Sequence, residues 1–295
     1  MEVSVVEIDI ETCNGCGICT EICPNFVFAR ENERMHGEII VANPDLCCAC
    51  GHCIIYCPQN SVRHDNISGE IAPQDKSDTI VSDVEALMMG RRSIRSFKTE
   101  GVPRSQIEQL IEIGANAGSA SNMQSESLIV VQDQGLLRKL EEMSIEILWN
   151  KGLKYATNQS FIGRVLAKRY PAELFSNFKR YHNIIERRRS AKQLEGMIFR
   201  KAPCLIVLCG FKTERLSPIN CALSARNMEL LAVANGLGTC WAGLFITAAG
   251  MSRKEINAVL QISSSRQVYG ALMVGYPKYR PTRIVSRKKR EVRWL

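Results

Sequence analysis

Nine of the chain's thirteen cysteines fall between Cys13 and Cys57, and eight of those nine form two runs of one spacing. CNGCGICTEICP supplies Cys13, Cys16, Cys19 and Cys23, closed by Pro24; CCACGHCIIYCP supplies Cys47, Cys50, Cys53 and Cys57, closed by Pro58. Clustered thiols of this density serve disulfides or metal. The odd total argues against a disulfide framework, and so do the first ten residues. They carry Glu2, Glu7 and Asp9 and no Lys or Arg, where an export signal needs a positive start and an apolar run. Metal remains, either as two zinc knots of four thiolates each or as iron–sulfur cubes, and two complete four-cysteine runs each closed by Pro favour the cubes.

The repeated C-x2-C-x2-C-x3-C-P run resembles that of bacterial ferredoxins with two [4Fe–4S] clusters. Three thiolates on one tight turn reach three irons, while the fourth points to the neighbouring cluster, so the ligand sets cross over. This assigns Cys13, Cys16, Cys19 and Cys57 to one cluster and Cys47, Cys50, Cys53 and Cys23 to the other. Gly15, Gly17, Ala49 and Gly51 are small enough to let backbone N–H groups approach the sulfurs. Cys48 is left over as a non-ligand, and Cys204, Cys209, Cys221 and Cys240, in apolar contexts, read as core residues. Two clusters in one small fold make a short electron wire, which needs a terminus.

The candidate terminus lies further on. Arg91-Arg92-Ser93-Ile94-Arg95-Ser96-Phe97 follows a helical segment, and its arginines and serines suit a phosphate or another anion by charge and bidentate hydrogen bonding; taken alone it reads equally as a solvated basic turn. No G-x-G-x-x-G follows a strand and no P-loop is present. The run resembles the R-R-S-x-R-x-F opening of the FMN-dependent nitroreductase superfamily. Further pieces follow in that family's order: ANAGSASNMQS at 115–125, Ala202-Pro203, the helix 222–234, GLGTCWAG at 236–243 and Gly275-Tyr276-Pro277. Gly118-Ser119-Ala120-Ser121 lacks the family's usual proline.

By this resemblance Arg91, Arg92, Ser93 and Arg95 hold the FMN phosphate, ribityl chain and pyrimidine edge. Asn122 and Gln124 hydrogen-bond the ring system, the backbone at Ala242 and Gly243 approaches flavin N5, and Arg287 and Lys288 are late phosphate ligands. The resemblance also implies a domain-interlocked homodimer with FMN at its interface, the largely apolar helix 221–234 lying at the centre. No side-chain nucleophile or acid–base pair is required, since the flavin carries the chemistry.

The elements that must position these groups are legible in outline. Residues 1–80 hold 4 Lys/Arg against 13 Asp/Glu, net −9, and the remainder 34 against 17, net +17, as expected of two units with different work. The partition is a ferredoxin-like domain over 1–64, a polar linker over 65–81 and an α+β domain over 82–295 with a helical insert at about 150–200. Ser82 with Glu85 and Ser105 with Glu108 have capping-box spacing and predict helix starts. The runs 128–131, 205–208 and 269–274 predict buried strands, with helices around 136–149, 220–235 and 252–260 between them. A mostly antiparallel central sheet flanked by helices is the expected fold.

The insert is the most basic stretch and includes Arg187, Arg188 and Arg189; it reads as a solvated helix face or, alternatively, a cap that attracts anions. No nucleic-acid motif accompanies the charge. The uncharged stretch 230–252 is long enough to cross a bilayer but is broken by Asn235, Gly236, Gly238, Gly243 and Gly250, so no membrane span and a cytoplasmic location are expected. The activity implied is transfer of electrons from a reduced carrier or NAD(P)H to a small electrophilic acceptor such as a nitroaromatic, quinone or activated alkene. The alternative is a relay that passes electrons from FMN to a partner protein.

Overall fold

The cysteine repeat is a repeat of backbone as well as of sequence. A computed structural model describes residues 6–31, 38–47, 50–65, 67, 72–73, 80–119, 124–155, 161, 164–165, 168 and 171–295. In it Gly17 (φ 75°) and Gly51 (φ 74°) each occupy the left-handed region one residue before a single-turn helix, α1 (Ile18–Ile22) and α2 (His52–Tyr56). Each helix ends on an extended cysteine, Cys23 (φ −68°) and Cys57 (φ −70°), and Pro24 or Pro58 then forbids continuation. Glycine is required ahead of both helices because a side chain disfavours that backbone region.

Around the loops, β1 (Val6–Ile8) pairs antiparallel with β4 (Val62–His64), and β2 (Phe28–Arg30) with β3 (Ile39–Val41). Val6, Val27, Phe28, Ile39, Ile54 and Val62 form the core of this small unit, and six of the eight paired-run cysteines pack against it. The unit is compact over Met1–Arg91 together with Tyr279–Leu295. It includes β5 (Ala72–Pro73) and α3 (Ile80–Gly90), which begins two residues ahead of Ser82. Most of the 65–81 linker lies outside the described residues.

The second unit spans Arg92–Lys278. Its sheet has the order β6 (Ser127–Val131), β7 (Cys204–Phe211), β9 (Arg266–Gly275) and β8 (Gly238–Trp241), every pairing antiparallel. Seven of the eight residues of β7 are buried, as expected of a central strand covered on both faces. Cys204, Ile206, Leu208, Leu272 and Val274 point to the side of α4 (Arg104–Ala115) and α7 (Ser217–Ala234). Strand alternation sends Leu205, Val207 and Met273 to the other face. α5 (Gln134–Lys151) packs on α8 (Gly243–Met251), which in turn lies on β9. The remaining described helices are α6 (Ala172–Ser190) and α9 (Arg253–Val259). Gly114 lets α4 approach α7, since a Cβ there would press into the Met228 side chain and Ser224 Oγ.

Three expectations are revised. α4 begins at Arg104 after Pro103, with no side-chain cap, so the Ser105–Glu108 spacing is not a capping box; Glu108 instead pairs with Arg104 at 2.7 Å. Residues 238–241, read in the sequence only as part of a broken apolar stretch, form strand β8. Finally, the chain returns from β9 to the first unit, where β10 (Arg283–Ile284) pairs with β5. The compact units are therefore drawn differently from the 1–64, 65–81 and 82–295 partition, because α3 and the segment after Lys278 group with the cysteine loops.

Within the insert, Arg187, Arg188 and Arg189 close α6, where cations complement the helix dipole. Arg189 pairs with Glu146 at 2.8 Å and lies 5.3 Å from the Trp149 ring centroid, so it ties α6 to α5. The turn that follows is held by Glu141, a buried carboxylate on α5 that accepts N–H groups from Gly196 (2.8 Å), Ile198 (2.7 Å) and Phe199 (3.0 Å). Glu141→Leu would strand those three donors in the interior, at a cost of about 3 kcal/mol or more. The apparent melting temperature is expected to fall by roughly 6–12 °C at 2–4 °C per kcal/mol, read in a thermal melt of the full chain. A fall under about 2 °C would show the turn is held by other means.

Candidate functional site

The structure brings the two cysteine runs close to one another. The thiol of Cys19 is pushed up to about 12, by burial first and then by Cys16, Cys13 and Cys57 beside it. Cys53 is likewise raised, by burial and then by Cys23, Cys47 and Cys19. The neighbours of Cys19 thus include the last cysteine of the second run, and those of Cys53 the last cysteine of the first. Cys23, Cys47, Cys50 and Cys53 also line one small cavity, together with Phe28, His52 and His64.

Crowded, partly desolvated thiols remain protonated unless a cation offsets their mutual repulsion, and a metal supplies that offset. Among the described residues no three His, Cys, Asp or Glu side chains close on a point that would hold a single ion. A cube asks less, because each thiolate bonds its own iron. Sulfur hydrogen bonds are already in place: the Ser61 N–H donates to Cys57 Sγ at 3.3 Å, and His64 Nε2 lies 3.3 Å from Cys47 Sγ. His64 carries no signal in the sequence; its place opposite Val6 in the β1–β4 pair, with the side chain buried, is what aims it at the sulfur. Cys48 and Ala49 lie outside the described residues.

In the second unit the arginine–serine run is fixed by strand β8. Ser93 forms a parallel bridge with Thr239, and the Ile94 N–H donates to the Thr239 carbonyl at 2.8 Å. Gly238 permits this approach, because a Cβ there would stand 2.6 Å from Ile94 Cγ1. Ala242, whose N–H donates to the Ala271 carbonyl at 2.8 Å, follows directly and precedes Gly243 at the start of α8. Arg92, Ser93, Arg95, Ala242 and Gly243 are thereby attached to one strand end. A Cβ on Gly243 would meet nothing nearer than Trp241 Cδ1 at 3.8 Å, so there is room over its backbone.

Positive charge is concentrated beside this strand. Arg200, half-buried, has its guanidinium pushed down to about 10, by burial and then by the like charge of Arg95. Cys240 stays protonated through burial, against the pull of Arg95, Arg200 and a hydrogen bond from Ser93. Arg92 is buried too, and the buried Thr239 hydroxyl has no hydrogen-bond partner among the described residues. Buried and half-buried guanidinium groups near an unsatisfied hydroxyl suit an anionic, acceptor-rich group, and FMN has that chemistry. Arg200 carries no sequence signal, since it stands in an ordinary basic pair ahead of Ala202-Pro203.

Arg91, Gln124, Arg287 and Lys288 are the other expected positions among the described residues. Arg91 ends the first unit, its N–H donating to the Leu87 carbonyl at 3.0 Å. The Gln124 (φ 43°) N–H donates to the Ser119 hydroxyl at 2.9 Å, and the residue lines a cavity with Ile111, Gly118, Glu126, Asn220 and Ser224. None of the residues at the β8 strand end lines that cavity. Asn122 lies outside the described residues. Arg287 and Lys288 are exposed and belong to the first unit. Cys204, Cys209 and Cys221 are buried, with burial pushing their thiols up to about 12, 11 and 12.

Comparison with known proteins adds four likenesses. A nitroreductase with bound FMN from Bacteroides fragilis NCTC 9343 shares the fold at TM-score 0.50 and 17% identity, over 71% of this chain and 95% of that one. An FMN-dependent nitroreductase from Clostridium difficile R20291 does so at TM-score 0.51 and 18% identity, over 72% and 98%. An uncharacterized ferredoxin of Methanocaldococcus jannaschii is 38% identical over 60 residues, 20% of this chain and 90% of that protein. An NADPH-dependent oxidoreductase of Staphylococcus saprophyticus subsp. saprophyticus is 36% identical over 58 residues, which are 20% of this chain and only 23% of that protein. The profile of the 4Fe-4S binding domain matches residues 6–28 and that of the nitroreductase family matches residues 88–276. With most of its length in that second match, behind an N-terminal 4Fe-4S binding domain, the chain belongs to the nitroreductase family.

Proposed function

We propose that this chain is an iron–sulfur flavoprotein oxidoreductase in which two [4Fe–4S] clusters supply electrons to FMN for reduction of a small electrophile, a nitroaromatic, quinone or activated alkene. The observation that carries the reading is the nearness of the two thiol runs to each other, in a chain that continues into a nitroreductase domain. Cys19 feels Cys16, Cys13 and Cys57, and Cys53 feels Cys23 and Cys47 ahead of Cys19, an order that supports crossed sets. In this reading those seven cysteines, completed by Cys50, are the cluster ligands. Arg92, Ser93 and Arg95 with Ala242 and Gly243 hold the flavin, joined by Arg91, Asn122, Gln124, Arg287 and Lys288 as the family resemblance assigns them.

FMN supplies the chemistry of pairing single electrons into a two-electron reduction. The protein's part is to bind and orient. Arg95 and Arg200 offer positive charge to the flavin's electron-rich edge, and the Thr239 hydroxyl offers a donor. The open backbone at Gly243 leaves space for a ring. Leu216, Ile219 and Leu223 on and beside α7 stay 42%, 55% and 46% exposed, an apolar row suited to the centre of a homodimer. No described helix is long and apolar enough to cross a membrane, and a cytoplasmic location follows from this reading.

Anaerobic metal and flavin analysis tests it: about eight irons and one FMN per chain are expected from two four-cysteine sets and one flavin site. Zinc in place of iron, or protein without flavin after reconstitution, would overturn it. Steady-state turnover with small acceptors then separates an enzyme from a relay. Reduction of none of them, with fast transfer to a protein partner, would favour the relay.

A further inference from the structure

The two cysteine loops share a backbone but not a cover. Above the first, the Arg30 guanidinium occupies the space that a Cβ on Gly17 would need, with Cζ at 2.9 Å and Nε at 3.2 Å from that point. Its Nη1 donates to the Gly15 carbonyl at 3.0 Å. The equivalent point above the second loop, beside Gly51, is taken by hydrocarbon: the Val285 methyl carbons at 3.3 Å and Ile67 Cδ1 at 3.4 Å. Val285 is held there by the returning C-terminal segment, in which the Thr282 N–H donates to the Ile55 carbonyl at 3.2 Å and Tyr279 hydrogen-bonds Glu21. Exposure follows the same division, Cys16 being exposed while its counterpart Cys50 is half-buried.

Iron–sulfur potentials follow net charge, hydrogen bonding and solvent exposure. A guanidinium beside a loop stabilises the negative charge that one-electron reduction adds, and water does the same. An apolar cover disfavours that charge. We propose that Arg30 raises the reduction potential of the first cluster (Cys13, Cys16, Cys19, Cys57) above that of the second (Cys47, Cys50, Cys53, Cys23), so that a single electron entering the chain rests on the first. This rests on the two-cluster reading above and deepens it. The sequence repeat is symmetric, and the asymmetry comes from residues outside it, Arg30 on β2, Ile67 after β4 and Val285 in the C-terminal segment.

The test is an anaerobic redox titration of reconstituted full-length protein, with dithionite as the one-electron reductant and cluster signals followed by EPR. The wild type is expected to show two midpoints. Arg30→Gln is expected to lower only the higher one, by about tenfold in electron partition, which is about 59 mV for a one-electron couple. Arg30→Lys keeps most of the charge and is expected to shift it far less. Val285→Asn, which wets the second loop, is expected to raise the lower midpoint and narrow the gap. Midpoints that move together or not at all in Arg30→Gln protein with about eight irons would overturn the proposal. Should Arg30→Gln fail to hold iron, Val285→Asn decides alone, and an unchanged gap counts against it. About four irons and one midpoint in the wild type would instead remove the two-cluster reading itself, a result distinct from eight irons with unmoved midpoints.

Discussion

Cys57→Ala is expected to abolish the cluster served by Cys13, Cys16 and Cys19, although Cys57 belongs by sequence to the other run. The expectation rests on proximity: Cys57 is among the thiols that push Cys19 up, whereas Cys53, four residues before it, feels Cys23 and Cys47 most after burial. Iron should fall from about eight to about four per chain. The signature of crossing lies in which variants resemble one another. Cys57→Ala should leave the same residual EPR spectrum as Cys16→Ala, and Cys23→Ala the same as Cys50→Ala. Flavin content should stay near one per chain, because most of the residues proposed to hold it, Arg92, Ser93, Arg95, Ala242 and Gly243 among them, lie in the other compact unit. If Cys57→Ala instead matches Cys50→Ala, each run holds its own metal and the crossed arrangement is wrong.

The expectation of crossing comes from a local rule, three cysteines on one turn leaving the fourth facing away, and both turns carry the left-handed glycine that the sequence places there, Gly17 and Gly51. The strands at 127–131, 204–211 and 266–275 were legible for a similar reason, being short apolar runs between polar or glycine stops, although the first was expected to be buried and only its Val131 is. β8 was not. Gly238-Thr239-Cys240-Trp241 has weak strand character, and it is made a strand by pairing with β9, a partner far away in the chain. The same long-range cause hid Arg200 beside Arg95, Arg30 over Gly17 and the return of the C-terminal segment through β10. Each is a meeting of residues whose neighbours in sequence say nothing of the partner. Charge asymmetry pointed to two units, but charge cannot tell which unit a tail will join.

The group at the β8 strand end makes a prediction with opposite signs for the empty and the loaded protein. Arg95 is a like-charged neighbour that, after burial itself, pushes down the half-buried Arg200 guanidinium. In flavin-free protein, Arg95→Leu removes that repulsion, so its melting temperature should hold steady or rise. With flavin present the same change removes a charge-assisted hydrogen-bond donor, worth roughly 1.5–3 kcal/mol. FMN affinity should therefore weaken by about 10- to 100-fold, at about 1.4 kcal/mol per tenfold. The stabilisation that added FMN confers should shrink to match, since a ligand stabilises the folded state only through its affinity for it. Fluorescence titration of deflavinated protein measures the first, and melts with and without FMN the second. A variant that binds FMN as tightly as the wild type would remove Arg95 from the flavin site. One whose flavin-free form melts as far below the wild type as its loaded form would make the residue a structural support rather than a flavin ligand.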